Sequence, residues 1–208
     1  MGVWSDRVVP HLADRALRNR AIGELRAAVC APLTGEVLEL GFGGGLNIRF
    51  YPPAVTSVAA VEPSDVSWRI SKRRRARSTV PVERRGLDGQ RLDEQDSSYD
   101  SVLSTFTLCT IPDPSLALAE ARRVLRPGGV LCLLEHGLAP DRSVETWQHR
   151  MEPLQRRLAR GCHLTRDVKG LVTDAGFQVT HLETAYLDGP AFSRPWTYVY
   201  TLIARLGG

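Results

Sequence analysis

Apolar and polar positions along this chain follow two rhythms. Residues 7–30 place Val8, Leu12, Leu17, Ile22, Leu25 and Val29 at helical spacing, which predicts one or two helices. Beyond them, short apolar runs of strand length alternate with helical stretches. The runs are Glu36–Leu40, Val58–Glu62, Val82–Arg85, Asp100–Thr105 and Val130–Glu135. After the second run, Ser64 or Asp65 can cap a helix that ends near Ser78, before Pro81. Asp113 followed by Pro114 starts another, as N-cap and first helical residue, over Ser115–Leu125. Leu118, Ala121, Val124 and Leu125 form its buried side, and Pro127-Gly128-Gly129 ends it. Strand–helix–strand repetition of this kind predicts an α/β fold, a doubly wound parallel sheet with helices on both faces.

From Gly137 to Lys169 the pattern turns helical and polar, with an Arg-rich amphipathic stretch at Met151–Arg160. Thr165-Arg166-Asp167 opens a further helix that ends at Gly176. Phe177–Leu182 and Trp196–Ile203 then read as two strands, separated by a Gly189-Pro190 turn and a loop, and predict an antiparallel pair at one sheet edge. The expected organisation is a single domain. It has a helical cap over 1–34, a core over 35–136, a helical segment over 137–170 that covers the substrate, and C-terminal strands over 171–208.

Composition narrows the function classes. A length of 208 residues with 43% hydrophobic and 24% charged residues fits one domain with a full-sized core and argues against disorder. The net charge is +4, and the densest basic cluster is Lys72, Arg73, Arg74, Arg75 and Arg77. No aromatics interleave with it, so the stacking platforms of a nucleic-acid binder are missing and no such partner is expected. No apolar run spans a bilayer, and the opening Met-Gly-Val-Trp-Ser-Asp lacks the apolar stretch of a signal peptide. A cytoplasmic location is the expectation, with no integral membrane segment and with peripheral membrane contact open through Met151–Arg160. Cys30, Cys109, Cys132 and Cys162 show no close pairing. They read as reduced, packed thiols, and no metal is expected.

Candidate chemistry begins after the first core strand. Gly41-x-Gly43-x-Gly45 follows it directly, Glu39 precedes the loop by two residues, and Glu62 ends the next strand. Glycines let the backbone approach a ligand, and an acid at the end of the second strand can accept both hydroxyls of an adenosine ribose. A dinucleotide fingerprint would need a third glycine where Leu46 stands. Glu39 is awkward beside a pyrophosphate but suits a cofactor carrying an ammonium and a sulfonium. Charge logic therefore favours S-adenosylmethionine (SAM) over a nicotinamide dinucleotide.

The runs Asp88-Gly89-Gln90-Arg91-Leu92, Tyr99-Asp100-Ser101-Val102 and Leu118-x-x-Glu120-x-x-Arg123-Val124-Leu125-Arg126-Pro127-Gly128-Gly129 resemble the class I SAM-dependent methyltransferases over residues 35–136. That resemblance implies a Rossmann-like seven-stranded sheet in the order 3-2-1-4-5-7-6, with strand seven antiparallel. It also implies roles. Gly41, Gly43 and Gly45 approach the methionine part of SAM, with Glu39 beside them. Glu62, followed by Pro63, takes the ribose. Asp88 accepts the adenine amino group, and the Gly89 backbone lies against the ring. Thr105 and Phe106, after strand four, face the sulfonium.

A narrower resemblance rests on Ser104-Thr105-Phe106-Thr107-Leu108-Cys109-Thr110, Leu134-Glu135-His136, Trp147, Glu152-Pro153 and Gly161-Cys162-His163-Leu164-Thr165-Arg166. These segments are similar to the animal microsomal thiol methyltransferases. The resemblance implies a small-molecule acceptor, favoured as a thiol. A quinone or phenol stands as the alternative, and a non-catalytic SAM-binding domain as a further class. The Asn/Asp-Pro-Pro-Tyr/Trp type of motif of nucleic-acid methylases is absent where Ser104–Thr107 stands. His136 and His163 are the candidate catalytic residues, and Cys109, Trp147, Arg166 and Trp196 the candidate substrate contacts. Each has a structural alternative. His136 can close its strand, and Arg166 can cap a helix or pair with Glu152. Cys109 and Cys162 can simply pack, as can Trp147 and Trp196.

Overall fold

The helices expected ahead of the core are α1 (Val9–Ala16), which follows one wide turn at Trp4–Val8, and α2 (Arg20–Cys30). The side chain of Asn19 caps α2 by accepting from the Ile22 N–H at 2.9 Å. A computed structural model describes residues 4–207, so residues 1–3 of the cap and Gly208 of the tail lie outside it. The core then runs β1 (Gly35–Leu40), β2 (Val55–Val61), α3 (Asp65–Ile70), α4 (Lys72–Arg75), β3 (Val82–Gly86), β4 (Tyr99–Thr105), α5 (Pro114–Val124) and β5 (Leu125–His136). The remainder is α6 (Arg142–Leu158), α7 (Val168–Asp174), β6 (Phe177–Tyr186), α8 (Arg194–Thr197) and β7 (Tyr198–Leu206).

The seven strands order as β3-β2-β1-β4-β5-β7-β6, and β7 is antiparallel to both neighbours. Strand order reverses between β1 and β4, so the carboxyl ends of these strands flank the crevice where such sheets bind ligands. One apolar cluster packs α5 and α7 on one face of the sheet, around Leu38, Val102, Leu118 and Leu131. The other packs α2 on the opposite face, around Val29, Val37, Leu103 and Leu134.

Local departures from the sequence reading have local causes. The helix expected up to Ser78 breaks at Ser71, whose buried hydroxyl donates to the Trp68 carbonyl at 2.7 Å. Strand five starts at Leu125, because Leu125 pairs with Tyr99 ahead of a bulge. Asp113 caps α5 by accepting from Ser115 and Leu116. Asp167 caps α7 by accepting from Gly170, so that helix opens at Val168.

Helix α6 packs through a narrow side. It buries Val144 and Gln148. Gln148 accepts from the Ala139 N–H and donates to the carbonyls of Gly137 and Pro195. The apolar stripe Trp147, Met151, Leu154 and Leu158 stands beside that packed side, and all but Met151 are at least half exposed. Among the described residues no helix is long and apolar enough to cross a membrane.

Candidate active site

Strand β1 delivers the chain into the glycine loop with Gly41, Gly43 and Gly45 all at positive φ, between +58° and +74°. Two positions have separate reasons to be glycine. A Cβ on Gly41 would fall 1.9 Å from Thr107 Oγ1, so the loop presses against the turn after β4. A Cβ on Gly43 would meet nothing closer than the Gly41 carbonyl at 3.9 Å, so that backbone faces open space. Glu62 follows β2, only 5% exposed, and its carboxylate accepts from Gly43 N–H at 2.6 Å and Ser64 N–H at 2.7 Å. Burial raises this carboxyl above its ordinary range, and the two N–H donors oppose that rise. Pro63 beside it is exposed. Asp14 of α1 lies against Gly44, and Arg74 clasps Asp14 at 2.6 Å while donating to the Gly44 carbonyl at 2.6 Å.

Below the loop lies a buried polar network that joins the expected Glu39 and Thr105 to three residues the motifs leave out, Arg26, Asn47 and Tyr51. Arg26 of α2 is 4% exposed and donates to Asn47 Oδ1 at 2.5 Å and Thr105 Oγ1 at 2.8 Å. Asn47 donates in turn to Glu39 at 2.9 Å, and the Tyr51 hydroxyl donates to the other Glu39 oxygen. Glu39 is fully buried, and burial pushes its carboxyl up to about 7 against those hydrogen bonds and the nearby Arg26 charge. Among the described residues Arg26 Nε has no hydrogen-bond partner. A sequence signal for this existed: Arg26 follows Ile22 by four residues and precedes Val29 by three, which puts it on the apolar face of its helix.

The carboxyl ends of β4 and β5 complete the floor. Thr105 ends β4 buried, and Phe106 follows at φ 53° with its ring 4.8 Å from that of His136. His136 ends β5, and burial lowers its imidazole to about 4, so it is neutral at pH 7. Its Nδ1 is buried and has no hydrogen-bond partner among the described residues. Glu135, next to His136 in the Leu134-Glu135-His136 run, holds the turn after β4. Its buried carboxylate accepts from the N–H groups of Thr107, Leu108 and Cys109 and from the Ser104 hydroxyl. On the β3 side, Asp88 is exposed and accepts from the Gln90 N–H and side chain, while Gly89 is buried near Leu40.

The expected substrate-side residues divide. Cys109, Cys162 and Leu164 form a small buried cluster with Trp196 packed against it, and the Trp196 indole donates to Gln155 at 3.1 Å. His163 Nδ1 lies 2.6 Å from Glu152, which also accepts from the Leu164 N–H. Burial and the neighbouring Arg166 charge lower His163, against the pull of Glu152. Two expectations need correction. Arg166 neither pairs with Glu152 nor is free for an anion. Its guanidinium donates to the carbonyls of Leu108, Ile111 and Pro112, which are closer to hand. Trp147 lines no interior pocket in this structure: it is 54% exposed with Arg150 over its ring, because Gln148 takes the packed side of α6.

A glycine loop after β1, an acid after β2 and a seven-stranded sheet with one reversed strand together define a SAM-dependent methyltransferase fold. Residues 38–133 match the family described as "Methyltransferase domain". The thiol S-methyltransferase TMT1A of Homo sapiens is 30% identical, covering 80% of this chain and 70% of that protein. TMT1B of Rattus norvegicus is 35% identical over 71% of this chain and 62% of its own length. The chain thus spans a little under two thirds of TMT1B. A solved SAM-dependent methyltransferase from Thermotoga maritima aligns over 99% of this chain and 100% of its own, with a TM-score of 0.67 at 22% identity. The chain belongs to the SAM-dependent methyltransferases. Within them it belongs to the same family as human TMT1A.

Proposed function

We propose that this protein methylates a small-molecule acceptor with SAM, and that the acceptor is a thiol. The observation that carries the cofactor reading is the nearly buried Glu62 carboxylate beside the open backbone of Gly43. These residues fit a sulfonium nucleoside in shape and charge. Glu62 suits the ribose hydroxyls and the space at Gly43 suits the aminoacyl part, while Glu39, its oxygens taken by Asn47 and Tyr51, supports the loop from beneath. Asp88 and Gly89 would hold the adenine. When bound, SAM supplies an electrophilic methyl group on a positively charged sulfur.

The chain's own residues then have to orient an acceptor and exclude water. Residues 137–170 form the lid in this reading, and Thr105, Phe106 and His136 form the floor. Neutral His136, with Nδ1 unpartnered, can orient an acceptor S–H, but an imidazole near 4 is a weak base. A small thiol needs little help, because part of it is ionised near neutral pH. Phenols and amines would need a stronger base. The kinship with thiol S-methyltransferases points the same way.

Labelled SAM with a panel of thiols, phenols and amines tests the acceptor. We expect transfer to thiols, with the rising limb of kcat/KM against pH following each thiol's own pKa. Transfer to phenols but to no thiol would move the assignment to a phenol or quinone.

The reading includes peripheral contact with an anionic membrane surface. It is supported by the exposed stripe Trp147, Leu154 and Leu158, flanked by Arg150 and Arg157, with Trp4 donating to the Leu158 carbonyl at 3.2 Å. Vesicle flotation is the check. Binding to phosphatidylserine-containing vesicles, lost in a Leu154→Glu/Leu158→Glu variant, is expected. Failure to float with them at low salt ends this part of the reading.

A further inference from the structure

Cys109 and Cys162 are far apart in sequence, yet their sulfur atoms lie 3.6 Å apart. Cys109 sits in the turn after β4, and Cys162 sits beyond α6. Three hydrogen bonds already hold these segments together. The His163 N–H donates to the Cys109 carbonyl at 2.7 Å, and the Arg166 guanidinium grips the carbonyls of Leu108 and Ile111. The backbone around both thiols is therefore fixed at short range, as a disulfide requires. Cys30 and Cys132 make no sulfur contact of this kind among the described residues, and burial pushes both thiols up, Cys132 to about 12.

We propose that Cys109 and Cys162 are a dithiol–disulfide site that reacts with small-molecule disulfides and, once oxidised, locks residues 162–166 onto the turn after β4. The pair has an asymmetry suited to exchange. The contact with Cys109 holds the Cys162 thiol below the ordinary range against its burial and raises that of Cys109. Cys162 is also the more exposed of the two.

The chemistry balances as two exchanges. The Cys162 thiolate attacks a disulfide RS–SR; the RS–SR bond breaks, a Cys162–SR bond forms, and RS⁻ leaves. Cys109 gives up its proton and attacks Cys162 Sγ, forming the protein disulfide and expelling the second RS⁻. The two protons lost by the protein end on the two RSH products. Two protein thiols are oxidised by two electrons, and one disulfide is reduced. A thiol in excess reverses both steps.

The pair does not depend on the identity of the methyl acceptor. Its effect on turnover rests on the reading of residues 137–170 as a lid. A locked lid admits the acceptor slowly. A thiol acceptor would reduce the pair and release the lid, so the site would couple activity to the ratio of acceptor thiol to its disulfide.

The test treats the whole protein with 2-hydroxyethyl disulfide. Expected are the loss of two hydrogens in intact mass and a single linked peptide joining Cys109 to Cys162. The melting temperature should rise by about 5 °C or more, reversed by dithiothreitol. A Cys109→Ser variant should stop at one mixed disulfide on Cys162. Free thiols throughout, a different linked pair, or separate adducts on Cys109 and Cys162 would overturn the site. Should the variant not fold, peptide mapping of the wild type still decides. For the lid, progress curves of oxidised protein with a thiol acceptor should start slowly and accelerate, with no lag after prior reduction. A linked peptide without a lag removes the lock and keeps the site. Absence of methyl transfer in the reduced protein as well would count against the proposed activity, while mass and melting still read the thiols.

Discussion

Replacing Glu62 with alanine is expected to weaken SAM binding by about 1–3 kcal/mol, a rise in Kd of roughly 5- to 150-fold. In the free protein its carboxylate already orders the Gly43 and Ser64 N–H groups, so the variant loses both a ligand contact and the shape of the loop. Glu62→Gln separates these effects, since the amide keeps one acceptor oxygen but not the charge. It should fall between wild type and alanine. Calorimetry reads the affinity directly, and unchanged binding in the alanine variant would remove Glu62 from the ribose site.

Arg26→Met should be the most damaging single change to stability. It leaves Asn47 and Thr105 short of a donor and leaves buried Glu39 without its neighbouring cation. Losing one member of a buried charged set costs about 3–5 kcal/mol, and the melting temperature of a chain of this size should drop by about 6–20 °C. The deficit should also depend on pH. The Glu39 carboxyl sits at about 7 in the folded protein against 4.5 ordinarily. Its contribution is therefore fully present below the lower value and is lost as pH rises through the upper one. Without Arg26 the carboxyl moves further up, so the variant falls further behind wild type at pH 8 than at pH 6. Urea melts at the two pH values measure this. An equal deficit at both would show that Arg26 acts through its hydrogen bonds alone.

The first half of the fold was legible because each element carried its own local signal. Strands were short apolar runs, Asp113-Pro114 announced α5, and Gly41-x-Gly43-x-Gly45 stood directly after β1. Such signals act through neighbouring residues and survive in any tertiary setting. The readings that failed depended on partners distant in sequence. Trp147 reads as a pocket residue, yet α6 turns Gln148 inward, where three backbone groups meet its amide. Arg166 has an acid within reach in the sequence reading, but a cluster of carbonyls after β4 claims it. Arg26 was passed over because a helix pattern counts only apolar positions. A charged residue in the middle of such a face was the available clue.

Glu135 concentrates the hold on the turn after β4 in one side chain. The turn from Thr107 to Cys109 is held at its main-chain N–H groups by one carboxylate borrowed from the next strand. Side chains fasten the same turn, since the Thr107 hydroxyl reaches the Gly41 and Thr105 carbonyls and Leu108 and Cys109 are buried. With three amides gathered on one acid, the bend hangs on a single negative charge. Neutralising that acid would slacken the whole corner at once, where loss of any one amide contact would not.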